Sequence, residues 1–328
     1  MKKLLSMIIV FPVLLVAQTT NKTQVAIPKQ VTLEKTITTV VTDNTGLNWI
    51  GTLDGLICYD GKRWHEINKK NSIIPSNKIL SIAVCGDSKY IGTADGLLEI
   101  KNNEWRVFTT QNSKLPSNKI RKIIIKNNII WMATAKGLTS FNGDFKIHLS
   151  VENNGIEDDN FISMSIDHNN TFWLGTNNGL YSFEKNIWRV FTTKNSNLPS
   201  NKIWGIVIDS ENRKWFGTKK GIATLLNDEW ALFNKKNTPI KTNLIRSITF
   251  DDYDRVWVGT EKNITSYDGE KWKKHKITNK HTFVTNMFID SFDNKWICTP
   301  KNVIVYNDDG VEFKDNIITN NSVIVSKQ

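Results

Sequence analysis

Several kinds of residue and segment are scarce in this chain of 328 residues, and each scarcity narrows the choice of protein class. Its three cysteines, Cys58, Cys85 and Cys298, are too few and too irregularly spaced for a disulfide framework. We expect them to be small buried hydrophobic side chains. No window shows a helical period, which leaves strands as the main element. After the first 17 residues no apolar run is long enough to cross a bilayer, so we expect no transmembrane segment in the mature chain.

Residues typical of catalytic sites are scarce as well. The five histidines are scattered, and we expect His65, His148 and His275, at fourth-strand positions, to lie on the outside. No Gly-x-Ser-x-Gly, His-x-x-x-His or isolated carboxylate pair stands out. We therefore assign no catalytic residue and no cofactor; under an enzymatic interpretation, His281 and Glu157 would be the first residues to substitute. The acidic segment 153–160 could bind Ca²⁺ through oxygen ligands. A solvated loop is the favoured interpretation, and we assign no metal site.

Positive charge is abundant, with a formal net charge of +11, but the lysines are spread along the whole chain. One interpretation is a solvated lysine-rich surface. The other is a surface that attracts acidic glycans, lipopolysaccharide or an anionic membrane.

The first residues have the pattern of an export signal. Lys2 and Lys3 precede the apolar stretch Leu4–Val16, and a small residue, Ala17, closes the segment. An uncleaved membrane anchor is the alternative, but the apolar run is short and Pro12 interrupts it. We expect a cleaved signal at residues 1–17 and a periplasmic or secreted protein, which argues against nucleic acid as a partner.

A four-residue phrase of the form Trp-x-Gly-Thr returns seven times, at spacings of 41, 41, 42, 42, 42 and 39 residues. The seven copies are Trp49–Thr52, Tyr90–Thr93, Trp131–Thr134, Trp173–Thr176, Trp215–Thr218, Trp257–Thr260 and Trp296–Thr299. A period in this range indicates a repeat protein.

Each repeat contains four short β-rich runs separated by polar turns, which predicts a four-stranded antiparallel meander. In the phrase, we expect the Trp to fill the gap between neighbouring sheets, the Gly to allow close approach and the Thr to hydrogen-bond locally. The hairpin that follows ends on Gly in five copies and on Asn263 and Asn302 in the others, which predicts positive φ at this position.

Seven such units, stacked radially so that each covers its neighbours, predict an all-β, seven-bladed β-propeller. A linear solenoid is the alternative, but its terminal repeats would need polar faces. The predicted units are residues 18–35 as an N-terminal linker, 36–316 as the propeller and 317–328 as a C-terminal tail. The predicted blades are 36–69, 78–110, 119–150, 160–193, 202–235, 244–278 and 284–315. We expect one terminal segment, 23–33 or 319–325, to pair at the seam of the ring.

The pattern IWGIVID at Ile203–Asp209, followed by WFGTKKGI at Trp215–Ile222, resembles the two-component regulator propeller repeat, and the resemblance covers all seven copies. In that family such repeats form the extracytoplasmic sensor part of hybrid histidine kinases. The resemblance implies a sensor-type propeller, here without a kinase segment of its own.

Among the 12 tryptophans, Trp204 alone has no counterpart in the other repeats. Its equivalents are Thr38, Leu80, Arg121, Ile162, Arg246 and Thr285. We predict a ligand site formed by Trp204, Arg121 and Arg246 on the face over the central channel, with the aromatic ring stacking on a sugar and the cations binding an acid group. Packing of Trp204 between blades is the alternative.

The leading functional hypothesis is an exported, non-enzymatic module that binds a glycan, another envelope ligand or a partner protein. A propeller-type lyase or hydrolase acting on a polysaccharide is one alternative, and a structural scaffold is another. The sequence does not identify the oligomeric state.

Overall fold

The computed structural model describes residues 35–59, 64–275, 283–290, 293–299 and 303–306. Within these residues the strands form seven separate antiparallel sheets, six of four strands and one of three. One helix of four residues, α1 (Val151–Asn154), interrupts the series. The predicted seven-bladed propeller is therefore confirmed.

The strands follow the chain order within each blade. Blade 1 contains β1 (Ile37–Thr42), β2 (Asn48–Thr52), β3 (Gly55–Tyr59) and β4 (Trp64–Ile67); blade 2 contains β5 (Ile79–Cys85), β6 (Ser88–Thr93), β7 (Leu97–Lys101) and β8 (Glu104–Phe108). Blade 3 contains β9 (Ile120–Lys126), β10 (Ile129–Thr134), β11 (Gly137–Phe141) and β12 (Phe145–Leu149); blade 4 contains β13 (Ser163–Ile166), β14 (Phe172–Gly175), β15 (Leu180–Glu184) and β16 (Ile187–Phe191). Blade 5 contains β17 (Ile203–Ile208), β18 (Lys214–Thr218), β19 (Gly221–Leu226) and β20 (Glu229–Phe233); blade 6 contains β21 (Ile245–Phe250), β22 (Val256–Thr260), β23 (Ile264–Tyr267) and β24 (Trp272–His275). Blade 7 contains β25 (Asn286–Ile289), β26 (Lys295–Cys298) and β27 (Val303–Tyr306).

The ring closes directly between blade 7 and blade 1. Trp296 and Cys298 of blade 7 pack in one buried cluster with Ile37, Ile50 and other apolar residues of blade 1. The side-chain amide of Asn286 also donates a hydrogen bond of 3.3 Å to the carbonyl of Thr38. These contacts favour the closed ring over the linear solenoid.

The hydrophobic core lies between blades, because each sheet buries its faces against its neighbours. Around the joint of blades 1 and 2, Trp49 and Leu56 pack with Ile79, Ile91 and Leu98. The Gly of the phrase makes this approach possible. A Cβ on Gly51 would lie 2.7 Å from Cγ2 of Ile79, so a larger residue would push the next blade away.

The hairpins between second and third strands share a local hydrogen bond. Thr52 donates its hydroxyl hydrogen to the Gly55 carbonyl at 2.7 Å and accepts from the Asp54 N–H at 3.0 Å. The predicted local role of the Thr is thus confirmed. Positive φ is confirmed at Gly55, Gly96, Gly137 and Gly221, but the prediction was wrong at Gly179 and Asn263, where the hairpin is made without it.

These hairpins lie at the same end of the ring as the connections between blades. The Gly55 N–H, for example, donates to the Asn77 carbonyl in the connection from blade 1 to blade 2. We call this end of the propeller the upper face. The turns between first and second strands lie at the opposite end, the lower face.

A buried carboxylate fixes most of the repeated tryptophans. Asp209 accepts a hydrogen bond of 2.8 Å from the indole N–H of Trp215, and it also accepts from the Arg213 N–H in the intervening turn. The same Asp–Trp bond recurs at Asp43–Trp49, Asp167–Trp173, Asp251–Trp257 and Asp290–Trp296. The carboxylate therefore closes the turn and satisfies the only polar atom of a buried indole.

At three joints a lysine of the following blade reaches this carboxylate. Lys89 lies 3.2 Å from Asp43 and Lys214 lies 3.2 Å from Asp167, whereas Lys295 lies 4.0 Å from Asp251. These pairs are almost completely buried, so they connect neighbouring blades in a medium that screens charge poorly.

We expect the ring to lose stability in acid through these carboxylates. Burial alone would raise the pKa of Asp43, but hydrogen bonds from Thr45 and Trp49 and the Lys89 charge hold that pKa below its ordinary value. The pKa of Asp167 is lowered in the same way. Burial alone would raise it, but the hydrogen bonds from the Trp173 indole and the Thr171 N–H outweigh this effect. The unfolded chain then binds more protons, so the stabilisation is complete above the ordinary pKa of about 3.9 and is lost as the pH falls through the lower folded value.

Urea unfolding at pH values from 7 to 3 tests this expectation. The unfolding midpoint should fall progressively below about pH 5. Asp43→Asn should be less stable at pH 7 and less sensitive to acid than the parent chain. An acid sensitivity unchanged by this substitution would contradict the assignment to Asp43.

The described cysteines and histidines correct part of the sequence-based expectation. Cys58 and Cys298 are buried free thiols as predicted, but Cys85 is only partly buried. His65 is exposed on its fourth strand, whereas His275 is buried, with its ring stacked on Trp257 at 4.4 Å. The prediction that it lies outside was wrong, because the small Ser266 on the adjacent strand leaves room for the ring and hydrogen-bonds it at 2.8 Å.

Other predictions fall on residues that the structure does not describe. They concern the export signal at 1–17, the linker up to residue 34, the fourth strand of blade 7 and the tail 317–328 with its proposed seam strand. They stay predictions. Over the described ranges, no helix has the length and apolar character needed to cross a membrane.

Candidate functional site

The predicted site position coincides with an irregularity that most first strands share. In blade 5, Ile203 pairs with Thr218 and Gly205 pairs with Gly217, so Trp204 is an extra residue in the ladder. Four other blades have the same bulge, at Thr38, Leu80, Arg121 and Arg246. A bulge turns its extra side chain out of the regular alternation.

The burial pattern shows where this extra side chain goes. The residue before it is buried in all seven blades; these residues are Ile37, Ile79, Ile120, Phe161, Ile203, Ile245 and Val284. The bulge residue itself, or its equivalent in blades 4 and 7, is always partly exposed. The fold therefore presents one variable side chain per blade near the upper end of the innermost strand.

Trp204 and Arg246 are in direct contact across the joint of blades 5 and 6. The Arg246 guanidinium carbon lies 5.4 Å from the centre of the Trp204 ring and 5.8 Å from the Phe283 ring, a distance suited to cation–π attraction. Its Nε donates to Oε1 of Glu261 at 3.0 Å, and Nη2 binds the same oxygen. We call these four residues the aromatic–arginine cluster.

The cluster is ordered by its own contacts but remains open to solvent. The Arg246 and Glu261 side chains are 35% and 28% exposed, and Phe283 is 36% exposed. Trp204 is partly exposed as well. An aromatic ring held by an arginine and still reached by water can receive an apolar or planar group with little further ordering of side chains.

Arg121 lies two blades away and has different partners. Its Nη1 donates a hydrogen bond of 2.7 Å to Oδ1 of Asn160, in the connection from blade 3 to blade 4. Burial lowers the pKa of Arg121, and the nearby Asp158 carboxylate opposes this change. The structure thus brings together Trp204 and Arg246 of the predicted trio, while Arg121 faces the acidic connection on another side of the ring.

A neighbouring cation, Lys122, was missed by reasoning from the sequence. The equivalent residues of other blades are small, and Ser81 accepts a hydrogen bond from the Ile123 N–H of the next blade at 3.0 Å. Lys122 instead has an exposed side chain, yet desolvation by the surrounding strands lowers its pKa. A side chain that reaches water but is surrounded by protein, as Lys122 is, is expected beside the central channel. The signal in the sequence was a lysine where the other repeats have Ser, Gly, Thr or Asn.

The carboxylates of the acidic segment bind the chain itself. Asp158 accepts hydrogen bonds from the Asn160 N–H and the Asn178 amide, at 3.0 and 2.9 Å. Asp159 accepts from the Val151 N–H at the start of α1. Across the described residues, no group of three or more His, Cys, Asp or Glu is arranged to hold a metal ion.

Fold and site together define the class: a seven-bladed β-propeller that presents a variable, partly exposed side chain from each blade near the mouth of its channel. No protein family model matches the chain, and no curated protein matches its sequence. Solved structures do share the fold.

Two of these structures are extracellular domains of hybrid two-component systems from B. thetaiotaomicron. The chain matches the BT3049 domain with a TM-score of 0.72 and 20% identity, over 88% of its own length and 40% of that chain. It matches the BT4673 domain with a TM-score of 0.70 and 18% identity, over 84% and 39%. It therefore spans about two-fifths of the length of either structure.

A third similar structure belongs to an enzyme, virginiamycin B lyase from Staphylococcus aureus. The TM-score is 0.66 and the identity 13%, over 84% of this chain and 96% of the lyase. At these identities the likeness establishes the shared fold, and function has to be argued from the site.

Proposed function

We propose that the chain is an extracytoplasmic recognition module of the sensor type, which binds a glycan or a related envelope ligand on its upper face and catalyses no reaction. The similar extracellular domains of two-component systems support the general class. The observation that carries the proposal is the aromatic–arginine cluster, which is preformed, partly exposed and built from residues that depart from the repeat.

Each member of the cluster has a distinct part in the proposed binding. The exposed surface of the Trp204 ring offers an apolar plane on which a sugar ring can stack. Nε and Nη2 of Arg246 both donate hydrogen bonds to Glu261. Within the described part of the chain, Nη1 of Arg246 has no protein acceptor. This nitrogen would donate to a carboxylate or hydroxyl oxygen of the ligand, while Glu261 keeps the guanidinium in place.

The test is a thermal-shift screen of the purified chain against neutral and anionic oligosaccharides, followed by affinity measurements on each hit. Binding should raise the melting temperature. Trp204→Ala should weaken a true ligand by about tenfold or more, which corresponds to at least about 1.4 kcal/mol.

Tyr253→Ala is the matched control. Tyr253 is 65% exposed and stacks with Arg255 at 5.0 Å, so it is a similar aromatic–arginine contact, but it lies in a turn of the lower face. The control should bind normally. Hits that survive Trp204→Ala, or that are lost equally in both variants, would rule out the proposed site.

The lyase in the structural comparison keeps an enzymatic function as the second candidate. Of the two residues favoured for that role, Glu157 is exposed in the connection after α1, and His281 lies outside the described residues. His148 and His275 each hydrogen-bond a serine of the adjacent strand at 2.8 Å. Incubating the chain with anionic polysaccharides and measuring new chain ends would reveal such an activity.

A further inference from the structure

A second feature of the upper face is a cleft where blade 5 meets blade 6. Its volume is about 360 Å³, and four lysines line it together with Thr242, Asn243 and Leu244. Lys219 belongs to the hairpin of blade 5 and Lys262 to the hairpin of blade 6, while Lys235 and Lys241 belong to the connection between them. We call this feature the lysine cleft.

Among the described residues, no ion pair balances the charges of the cleft. All four lysine side chains are exposed. In the described part of the chain, none of them has a carboxylate oxygen within the 4.0 Å of an ion pair. Four ammonium groups around one small cavity repel each other, and an anion in the cavity would remove this repulsion.

The repeats provide an internal control for this cluster. The corresponding four positions can be compared at the joints of blades 1 and 2, 2 and 3, and 4 and 5. They are occupied by Leu53, Lys69, Pro75 and Asp95; by Ala94, Thr110, Pro116 and Lys136; and by Asn177, Thr193, Pro199 and Lys220. Each of these joints has a single lysine at the four positions. Each has a second lysine, Lys78, Lys119 or Lys202, where the cleft has Leu244. The convergence of four lysines at the joint of blades 5 and 6 therefore exceeds the two found at each of the compared joints.

The backbone of the cleft has also changed to accommodate a lysine. Lys241 stands where the connections after blades 1, 2 and 4 have Pro, and its N–H donates a hydrogen bond of 2.9 Å to Oδ1 of Asn263. Asn263, which replaces the hairpin Gly, donates through Nδ2 to the Pro239 carbonyl at 3.1 Å. A proline at 241 could not make the first bond. Two departures from the repeat thus fix Lys241 against the blade 6 hairpin, next to Lys262.

We propose that the lysine cleft binds a small polyanion that carries two or more phosphate, sulfate or carboxylate groups. The volume is within the range of small-molecule sites. Lysine ammonium groups act as point charges without the fixed fork of arginine, so the cleft selects for negative charge more than for one anion geometry. This binding does not require the aromatic–arginine cluster, which lies on the same face.

The experiment is calorimetric titration of the purified chain with three small probes: inorganic tripolyphosphate, sucrose octasulfate and trigalacturonate. The strongest binder identifies the source of the negative charge as phosphate, sulfated sugar or uronate sugar. Binding should weaken markedly between about 0.05 and 0.5 M NaCl, because salt screens exposed charges.

The discriminating variant is Lys219→Gln combined with Lys241→Gln. Its control, Lys69→Gln combined with Lys136→Gln, removes the same charge from two joints that lack the cluster of four lysines. The cleft variant should bind the best probe about tenfold to a hundredfold more weakly, and the control less than about threefold. Gln is polar and these side chains are exposed, so both variants should keep the melting temperature of the parent chain.

Two outcomes would overturn the proposal. One is that none of the three probes binds at concentrations up to about 1 mM. A dissociation constant above this value would mean that the cleft is not a specific site. The other is an equal loss in both variants, which would mean that the probes respond to net charge alone. Trp204→Ala should leave probe binding intact, so failure of the aromatic–arginine site and failure of the lysine cleft are distinguishable.

Discussion

Trp215→Ala is expected to lower the free energy of unfolding by about 3–5 kcal/mol, the range seen when a large buried aromatic is truncated. Trp215 is 1% exposed, and its ring stacks on Phe233 at 5.5 Å and contacts Tyr267 at 5.9 Å. The truncation leaves a cavity at the joint of blades 5 and 6. It also removes the donor that pairs with the buried Asp209 carboxylate.

Urea unfolding followed by far-UV circular dichroism measures this effect without relying on tryptophan fluorescence. Trp204→Ala is the control, because it removes the same side chain from a partly exposed bulge and should cost about 1 kcal/mol or less. If a single transition does not describe unfolding, the two midpoints are compared directly. Equal destabilisation by the two substitutions would contradict the division between structural and exposed tryptophans.

Asp251→Ala should have a comparable effect, about 3–5 kcal/mol, because it removes one partner of a buried ion pair. The Asp251 side chain is 0% exposed and accepts hydrogen bonds from Nε of Arg255 at 2.6 Å and from the Trp257 indole at 2.7 Å. Nζ of Lys295, from blade 7, lies 4.0 Å away. Truncation would remove the one carboxylate that these three side chains share, although Lys295 keeps its pair with Asp293 at 2.6 Å.

The adjacent Asp252 gives the matched control. Its side chain is exposed, and its known hydrogen bond to Asp293 is made by the backbone N–H, which alanine keeps. Asp252→Ala should change the free energy of unfolding by no more than about 0.5 kcal/mol. In the same denaturation assay, a loss of similar size from both substitutions would show that Asp251 does not have the structural role described here.

The repeat phrase was sufficient to predict the blades because its requirements are local. The Thr that binds across the hairpin recurs in all seven copies and the hairpin Gly in five, because both act within a few residues of the chain. The bulge at Trp204 was not predictable in the same way. A bulge depends on how two strands align, and the ladder is compatible with more than one register until both strands are placed.

The aspartates that bind the tryptophans show a different limit. Asp43 and Asp209 stand six residues before their tryptophans, and this recurrence was visible in the sequence. Their role was missed because the spacing alone does not show that the turn folds the carboxylate back onto the indole.

The lysine cleft was even less predictable from the sequence. Lys219 and Lys262 are 43 residues apart and belong to different repeats, so only the ring brings them together.

The bulge would allow the proposed recognition surface to change without a change in the fold. Strand pairing resumes on both sides of the extra residue, and the buried neighbour, such as Ile203 before Trp204, holds the blade in place. Substitutions at the bulge are therefore largely decoupled from the stability of the sheet. Evolution, or a protein engineer, could vary the five bulge positions around one mouth and so alter the proposed specificity on an unchanged frame.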